Sequence, residues 1–330
     1  MARLSLSLAI GDYDRNRPLL DGAVRIDGVD AVPMMLTPEE IFFRSFRDEA
    51  FDICELSLSS MSIKTSRGVP AYVGVPAFVS RAFRHTSIYI RTDRGIATPQ
   101  DLKGKRIGLP EYQLTACVWV RALLEEDFGV KPSDVTWVRG GIVDPTRIEK
   151  IALDLPSDIQ LQAAPVGKSL DMLLREGGID AYVGPRAPPC FEEGHPQVAR
   201  LFADPTAVAR DYYRRSGIFP IMHLIGIRRT LVDAHPWLPA TVLKAFEQSK
   251  AAALAKLVDT SATKVTLPFV EEQLGAARAL MGSDFWSYGF GPNRATLDNF
   301  LDHHHRQGLS ARRLQPEDLF HPSTLDGFKL

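Results

Sequence analysis

Within FVSRAFRHTSIYI, Phe78 to Ile90, two arginines and a histidine crowd into five residues: Arg81, Arg84 and His85. A guanidinium meets a carboxylate through parallel N–H donors, and an imidazole exchanges protons near neutrality. The cluster therefore suits an anion with a proton carrier beside it; a solvated turn would show the same residues. A second histidine, His223, interrupts the apolar run GIFPIMHLIGI, where a core histidine and a proton carrier are both consistent with the pattern. Glu55 closes the apolar stretch FDIC, and Glu111 follows RIGLP. Either carboxylate could give a proton, accept a hydroxyl, or pair with a helix dipole. Ser57, Ser59 and Thr115 fall where helices begin, either as caps or as ligands offering hydroxyl and backbone N–H groups. Asp12, Tyr13, Tyr112 and Arg186 also follow strand-like segments directly.

Other chemistries lack their residues. His303, His304 and His305 are consecutive, so on a helix they point in different directions, whereas metal pairs need spacings of three or four. No HExxH, paired CxxC, Gly-rich phosphate loop or GxSxG elbow occurs. Cys54, Cys117 and Cys190 are odd in number and far apart, which predicts unpaired thiols in a reducing compartment.

The elements that must position these groups alternate between strand-like and helix-like. LSLSLAI, VDAVPMML, FDICELS, AYVGVPAFV, TSIYIR, RIGLP, DVTWVRGG, IQLQAAPVG and IDAYVGP read as strands. TPEEIFFRSFRDEA reads as a helix, with Thr37 as N-cap, Pro38 in the first turn, and Glu39 and Glu40 at the positive dipole end. LSSMSIKTSRG, TACVWVRALLEEDFGV, SLDMLLREGG and PTAVARDYYRRSG read as further helices, and TPQDLK as a short one. GDYDRNRPLLDG and the stretch from Gly140 to Asp158 read as loops, and IFPIMHLIGIRRTLV as an extended segment. The last third is mainly helical, over Leu238 to Val258, Pro268 to Met281 and Arg294 to Gln307. Such alternation predicts an α/β fold with mainly parallel sheets flanked by helices. Ligands then bind beyond the carboxyl ends of the strands, where the polar residues named above fall.

At 330 residues, with 45% hydrophobic and 24% charged residues, the chain has enough apolar material for about two domains. A net charge of −1 argues against general nucleic-acid binding. No apolar run reaches the ~18 residues of a membrane span. Leu4, Leu6, Leu8 and Ile10 alternate with smaller residues, as in a first strand rather than an export leader, which predicts a cytoplasmic protein.

The order FDICELSLSS, RGIATPQDLKGKRIGLPEYQLTA, LLREGGIDAYVG is similar to the type II periplasmic-binding-protein fold. That resemblance implies two α/β lobes with a ligand cleft between them. It predicts one lobe from 1–92 and 224–330 and another from 93–223. Within it, GDYDR, SLSS, SRAFRH, GLPEYQLTACVWVR, LDLP, GIFPIMH and ALMGSDFWSYGFGPNR resemble the 4,5-dihydroxyphthalate decarboxylases. The resemblance implies a carboxy-lyase of aromatic catabolism that acts on a small aromatic carboxylate without a cofactor or metal. Its product would be protocatechuate or a close analogue. His85, His223 and Glu55 are the expected catalytic groups. Asp12, Tyr13, Ser57, Ser59, Arg81, Arg84, Glu111, Tyr112, Thr115 and Arg186 are the expected substrate ligands. A homo-oligomer is left open. The alternative is a cytoplasmic solute-binding protein that holds a small carboxylate without turnover.

Overall fold

The computed structural model describes residues 3–68, 70–259 and 261–326. The strands are β1 (Leu4–Ile10), β2 (Val29–Met35), β3 (Ile53–Ser57), β4 (Tyr72–Arg81), β5 (Ile88–Arg91), β6 (Arg106–Leu109), β7 (Thr136–Arg139), β8 (Gln160–Ala163), β9 (Ala181–Val183), β10 (Val198–Arg200) and β11 (Ile221–Arg228). The α-helices are α1 (Arg17–Leu20), α2 (Pro38–Asp48), α3 (Leu58–Ser66), α4 (Thr115–Phe128), α5 (Leu170–Glu176), α6 (Pro189–Glu192), α7 (Pro205–Ser216), α8 (Arg229–Ala234), α9 (Leu238–Val258), α10 (Val270–Met281) and α11 (Arg294–Arg306).

Local chemistry sets many of these boundaries. Thr37 caps α2 by accepting from the Glu40 amide, with Glu39 and Glu40 in the first turn. That helix buries Ile41 and Phe42, each worth roughly 2 kcal/mol in removed apolar area. Thr98 and Asp101 form a reciprocal capping box, but the helix they open, Pro99–Leu102, is a single 3-10 turn. The predicted loop after β1 contains α1, and the extended reading of IFPIMHLIGIRRTLV ends at Arg228, where α8 begins. Gly140 to Ile159 has no regular element.

The first sheet has the order β2-β1-β3-β11-β4, and the second β10-β5-β9-β6-β7-β8. Strands β1, β2 and β3 are parallel, as are β6, β7, β8 and β9. Two strands run against the rest: β11 is antiparallel to both β3 and β4, and β5 to both β9 and β10. After α7 the chain re-enters the first sheet at Ile221, where β11 runs against the direction of both neighbours. Gly226 makes room for it; a Cβ there would lie 2.2 Å from Leu56 Cδ1.

The chain forms two compact units. One takes the chain up to Arg81, Ile221–Asp298, and the chain from Gln315 on; the other is Ala82–Pro220 with Asn299–Leu314. The boundaries thus fall at the end of β4 and the start of β11, rather than at 92/93 and 223/224. Arg81 pairs with Ile221 across those strands, which fixes both crossings at the same sheet position. Residues 299–314 join the second unit, because the latter part of α11 packs there, with Phe300 against Trp119. The first core centres on Leu8, Ile53, Leu56, Val75 and Leu224, and the second on Tyr89, Val138, Leu174 and Tyr182. All three cysteines are buried and unpaired.

Candidate active site

In the first unit, the carboxyl ends of β1 and β3 meet the start of β11. Glu55, on β3, is fully buried. Its Oε2 accepts the Gly11 amide at 3.0 Å, and its Oε1 accepts the Tyr13 hydroxyl at 2.9 Å. His223 Nδ1 lies 2.5 Å from the same Oε1. The antiparallel register sets His223 opposite Ser57, two residues beyond Glu55, so strand pairing brings the imidazole to the carboxylate. Phe42 meets the His223 ring edge-on at 4.8 Å. The His223 side chain keeps 19% exposure, whereas Glu55 keeps none. Gly11 is required here, because a Cβ would fall 2.7 Å from the Tyr13 ring. Burial, followed by the Glu55 charge, pushes the Tyr13 phenol well above its usual range, so it remains a donor.

This arrangement is an imidazole backed by a buried carboxylate. An ionised Glu55 keeps the proton of neutral His223 on Nδ1 and leaves Nε2 as the atom that gives or takes a proton.

The other predicted ligands of this unit have defined places. Ser57 caps α3 by accepting from the Ser60 amide, and Ser59 is buried in the first turn. Asp12 is exposed and pairs with Arg17. Arg81 is buried; it donates to the Ser287 carbonyl at 2.7 Å and to Asn293 Oδ1, and it lies over the Phe78 ring. Those contacts, both from Nη2, tie the Arg81 guanidinium to the loop before α11. Nothing in its spacing marks Arg15, yet the structure sets its guanidinium 4.4 Å from the Tyr13 ring and 4.3 Å from the Trp286 ring. Its only sequence cue is its place in GDYDR, two residues after Tyr13.

The remaining predicted residues stand in the second unit. Arg84 and His85 precede β5, whose first residue pairs with the last of β9, so they reach the carboxyl edge of that sheet. Burial draws the Arg84 guanidinium down to about 10, which still leaves it cationic at neutral pH. His85 is buried among Phe83, Phe202 and Tyr212, and neither ring nitrogen has a hydrogen-bond partner among the described residues. Burial pushes the imidazole down to about 4, against a smaller upward pull from Asp127, so it is neutral at pH 7. Glu111 is fully buried and receives Arg147 Nη2 at 2.7 Å and Lys150 Nζ at 2.6 Å, which occupies the carboxylate with the long loop. Tyr112 is buried beneath the Arg121 guanidinium, with its hydroxyl donating to the Gln307 carbonyl, so it too is structural. Thr115 is the first residue of α4, with Leu114 in the cap position. Arg186 is exposed just after β9. His303 Nε2 lies 2.7 Å from Glu126 Oε1, while His304 and His305 engage Ser310. Among the described residues, no group of three or more His, Cys, Asp or Glu could hold a metal ion. No helix among them is long and apolar enough to cross a membrane.

Residues 57–152 match the NMT1/THI5 like family model, a stretch that runs from the α3 cap into the long loop. Over all 330 residues of both chains, the protein is 62% identical to the 4,5-dihydroxyphthalate decarboxylase of Comamonas testosteroni. The chain belongs to the 4,5-dihydroxyphthalate decarboxylase family. A protein of the same name from Pseudomonas putida is 60% identical over 214 residues, covering 65% of this chain and 83% of that one.

Among solved structures, the periplasmic sulfonate-binding protein SsuA of Methylobacillus flagellatus KT superposes with a TM-score of 0.56 at 12% identity, covering 98% of this chain and 93% of that one. The aliphatic sulphonate binding protein SsuA of Escherichia coli gives 0.52 at 12% identity, covering 100% and 96%. At such identity these likenesses carry the fold alone: an α/β, type II periplasmic-binding-protein-like architecture. In this chain, that fold carries a carboxylate-backed imidazole where β3 ends and β11 begins.

Proposed function

We propose that this chain decarboxylates 4,5-dihydroxyphthalate, leaving protocatechuate and CO2, with His223 as the proton donor. The buried Glu55 carboxylate, with His223 Nδ1 at 2.5 Å, is the observation that carries the reading. Full-length similarity to a protein of that name supports the substrate.

Direct loss of CO2 would leave an aryl carbanion, so the ring carbon must be protonated first. His223 in its imidazolium form gives the Nε2 proton to the carbon bearing the departing carboxylate. The hydroxyl para to that carbon supplies electron density, and the ring's positive charge spreads onto its oxygen. The C–C bond then breaks, its electron pair restores aromaticity, and CO2 leaves. One proton enters the product, and solvent restores the imidazolium. Glu55 orients the ring, and Tyr13 and the Gly11 amide hold Glu55. Of the two predicted imidazoles, His223 takes this role because only it has a carboxylate partner positioned behind the ring.

The test is to incubate the purified chain with 4,5-dihydroxyphthalate and follow CO2 and the aromatic product by chromatography. Stoichiometric release of both is expected. Saturable binding with no CO2 would instead favour a solute-binding protein and overturn the catalytic reading.

A further inference from the structure

Beyond the residues that move the proton, the first unit holds a second set of polar groups that the reaction above leaves unused. The Arg15 guanidinium lies over the Tyr13 ring at 4.4 Å and over the Trp286 ring at 4.3 Å. Its Nε donates to the Val79 carbonyl at 2.7 Å, its Nη1 reaches Asp14 at 3.2 Å, and Ser249 donates to its backbone carbonyl. Nη2 donates to nothing among the described residues. The Arg15 side chain is only 17% exposed, so its plane is fixed before any ligand arrives.

Two residues past Trp286 comes Tyr288, 3% exposed, whose hydroxyl has no hydrogen-bond partner among the described residues. Lys250, the residue after Ser249, places its ammonium 4.6 Å from the Tyr288 ring centre. That ammonium is committed to Glu247 and Asp284. Burial raises the Tyr288 phenol above its usual range, and the charges of Arg15, Glu247, Arg81 and Glu55 all act on it. The hydroxyl is thus a protonated donor in the same electrostatic neighbourhood as Arg15 and Glu55. A buried hydroxyl without a partner costs stability and calls for an explanation. An anionic oxygen of a ligand supplies one.

We propose that Arg15 and the Tyr288 hydroxyl together bind the carboxylate that stays on the ring, and so favour a ring that bears it over one that does not. This rests on the decarboxylase reading for the identity of the substrate. Arginine suits the role because its planar donors meet a carboxylate edge-on, and the two flanking rings spare it the entropy of being ordered. Tyr13 joins the two sets: its ring faces Arg15 and its hydroxyl faces Glu55. The anchored carboxylate would thereby stand about one aromatic ring from the Glu55–His223 pair.

Phthalate, which lacks the para hydroxyl, and catechol, which has no carboxylate, test this without decarboxylation. Their affinities are measured by calorimetry for the wild type, Tyr288→Phe and Arg15→Met. Each substitution should weaken phthalate about tenfold or more and leave catechol within about threefold. Tyr288→Phe should also keep or raise the thermal midpoint without ligand, since it removes an unpartnered hydroxyl. A purely structural tyrosine would not combine equal or greater stability with weaker binding. The proposal is overturned if the wild type does not bind phthalate, or if its phthalate-to-catechol affinity ratio survives in Tyr288→Phe. Failure to release CO2 from 4,5-dihydroxyphthalate would overturn the decarboxylase reading while leaving this binding result to stand.

Discussion

Glu55 shows how a buried charge is made tolerable. Removing a carboxylate from water costs several kcal/mol unless its oxygens are bonded, and here the Gly11 amide, the Tyr13 hydroxyl and His223 all converge on it. His85 is the opposite case, a buried imidazole with no partner on either nitrogen among the described residues. Its folded value of about 4 lies below the ordinary 6.5. As pH falls through that window the unfolded chain gains a proton that the folded chain refuses, so stability is whole above 6.5 and is lost toward 4. The loss attributable to this residue is about 3 kcal/mol, from 1.36 kcal/mol per pH unit. His85→Phe should therefore flatten the fall in thermal midpoint between pH 7 and 4.5; an unchanged slope would contradict the assignment. In sequence, Glu55 and His223 were legible as candidates from residue type and position after a strand. Their pairing was not, because it depends on an antiparallel register between strands 168 residues apart.

At the scale of elements, the stretch from Gly140 to Ile159 is pinned rather than loose. Arg147 and Lys150 both close on Glu111, and the neighbouring Glu149 accepts from the Tyr112 amide at 2.6 Å and from Gln113. Burial first, then the Glu111 charge, raises Glu149 to about 7. The folded chain therefore keeps a proton that the unfolded chain releases near 4.5, and this contribution, whole below 4.5, is lost as pH rises through 7. Its slope opposes that of His85, so single variants are needed to separate them. Glu149→Gln should raise the thermal midpoint at pH 8 and leave it unchanged at pH 4.5; equal midpoints at pH 8 would contradict the cause given. Composition made the loop itself legible, and cap residues such as Thr37 made helix starts legible, because both signals are local. The antiparallel course of β5 and β11 was not legible, because strand direction is decided by partners far along the chain. The partners of Arg81 Nη2, Ser287 and Asn293, were not legible for a related reason: they are more than 200 residues away.

At the scale of the molecule, the chain passes between its two units at residues 81/82, 220/221, 298/299 and 314/315. Alternation of strands and helices was enough to anticipate two α/β units. The late return of residues 299–314 to the second unit was not visible, since α11 has one unbroken helical pattern across the boundary. The family resemblance in scattered motifs agrees with 62% identity across the full length of a named decarboxylase. A binding-protein fold becomes an enzyme by what stands at its strand ends, and the group proposed for that role here is the Glu55–His223 pair. Steady-state release of CO2 from 4,5-dihydroxyphthalate by the wild type, His223→Ala and Glu55→Gln tests that claim most directly. The account predicts a kcat lower by about 10²–10⁴ in His223→Ala, a smaller loss in Glu55→Gln, and KM within a few-fold of wild type in both. A His223→Ala enzyme that turned over at the wild-type rate would contradict it.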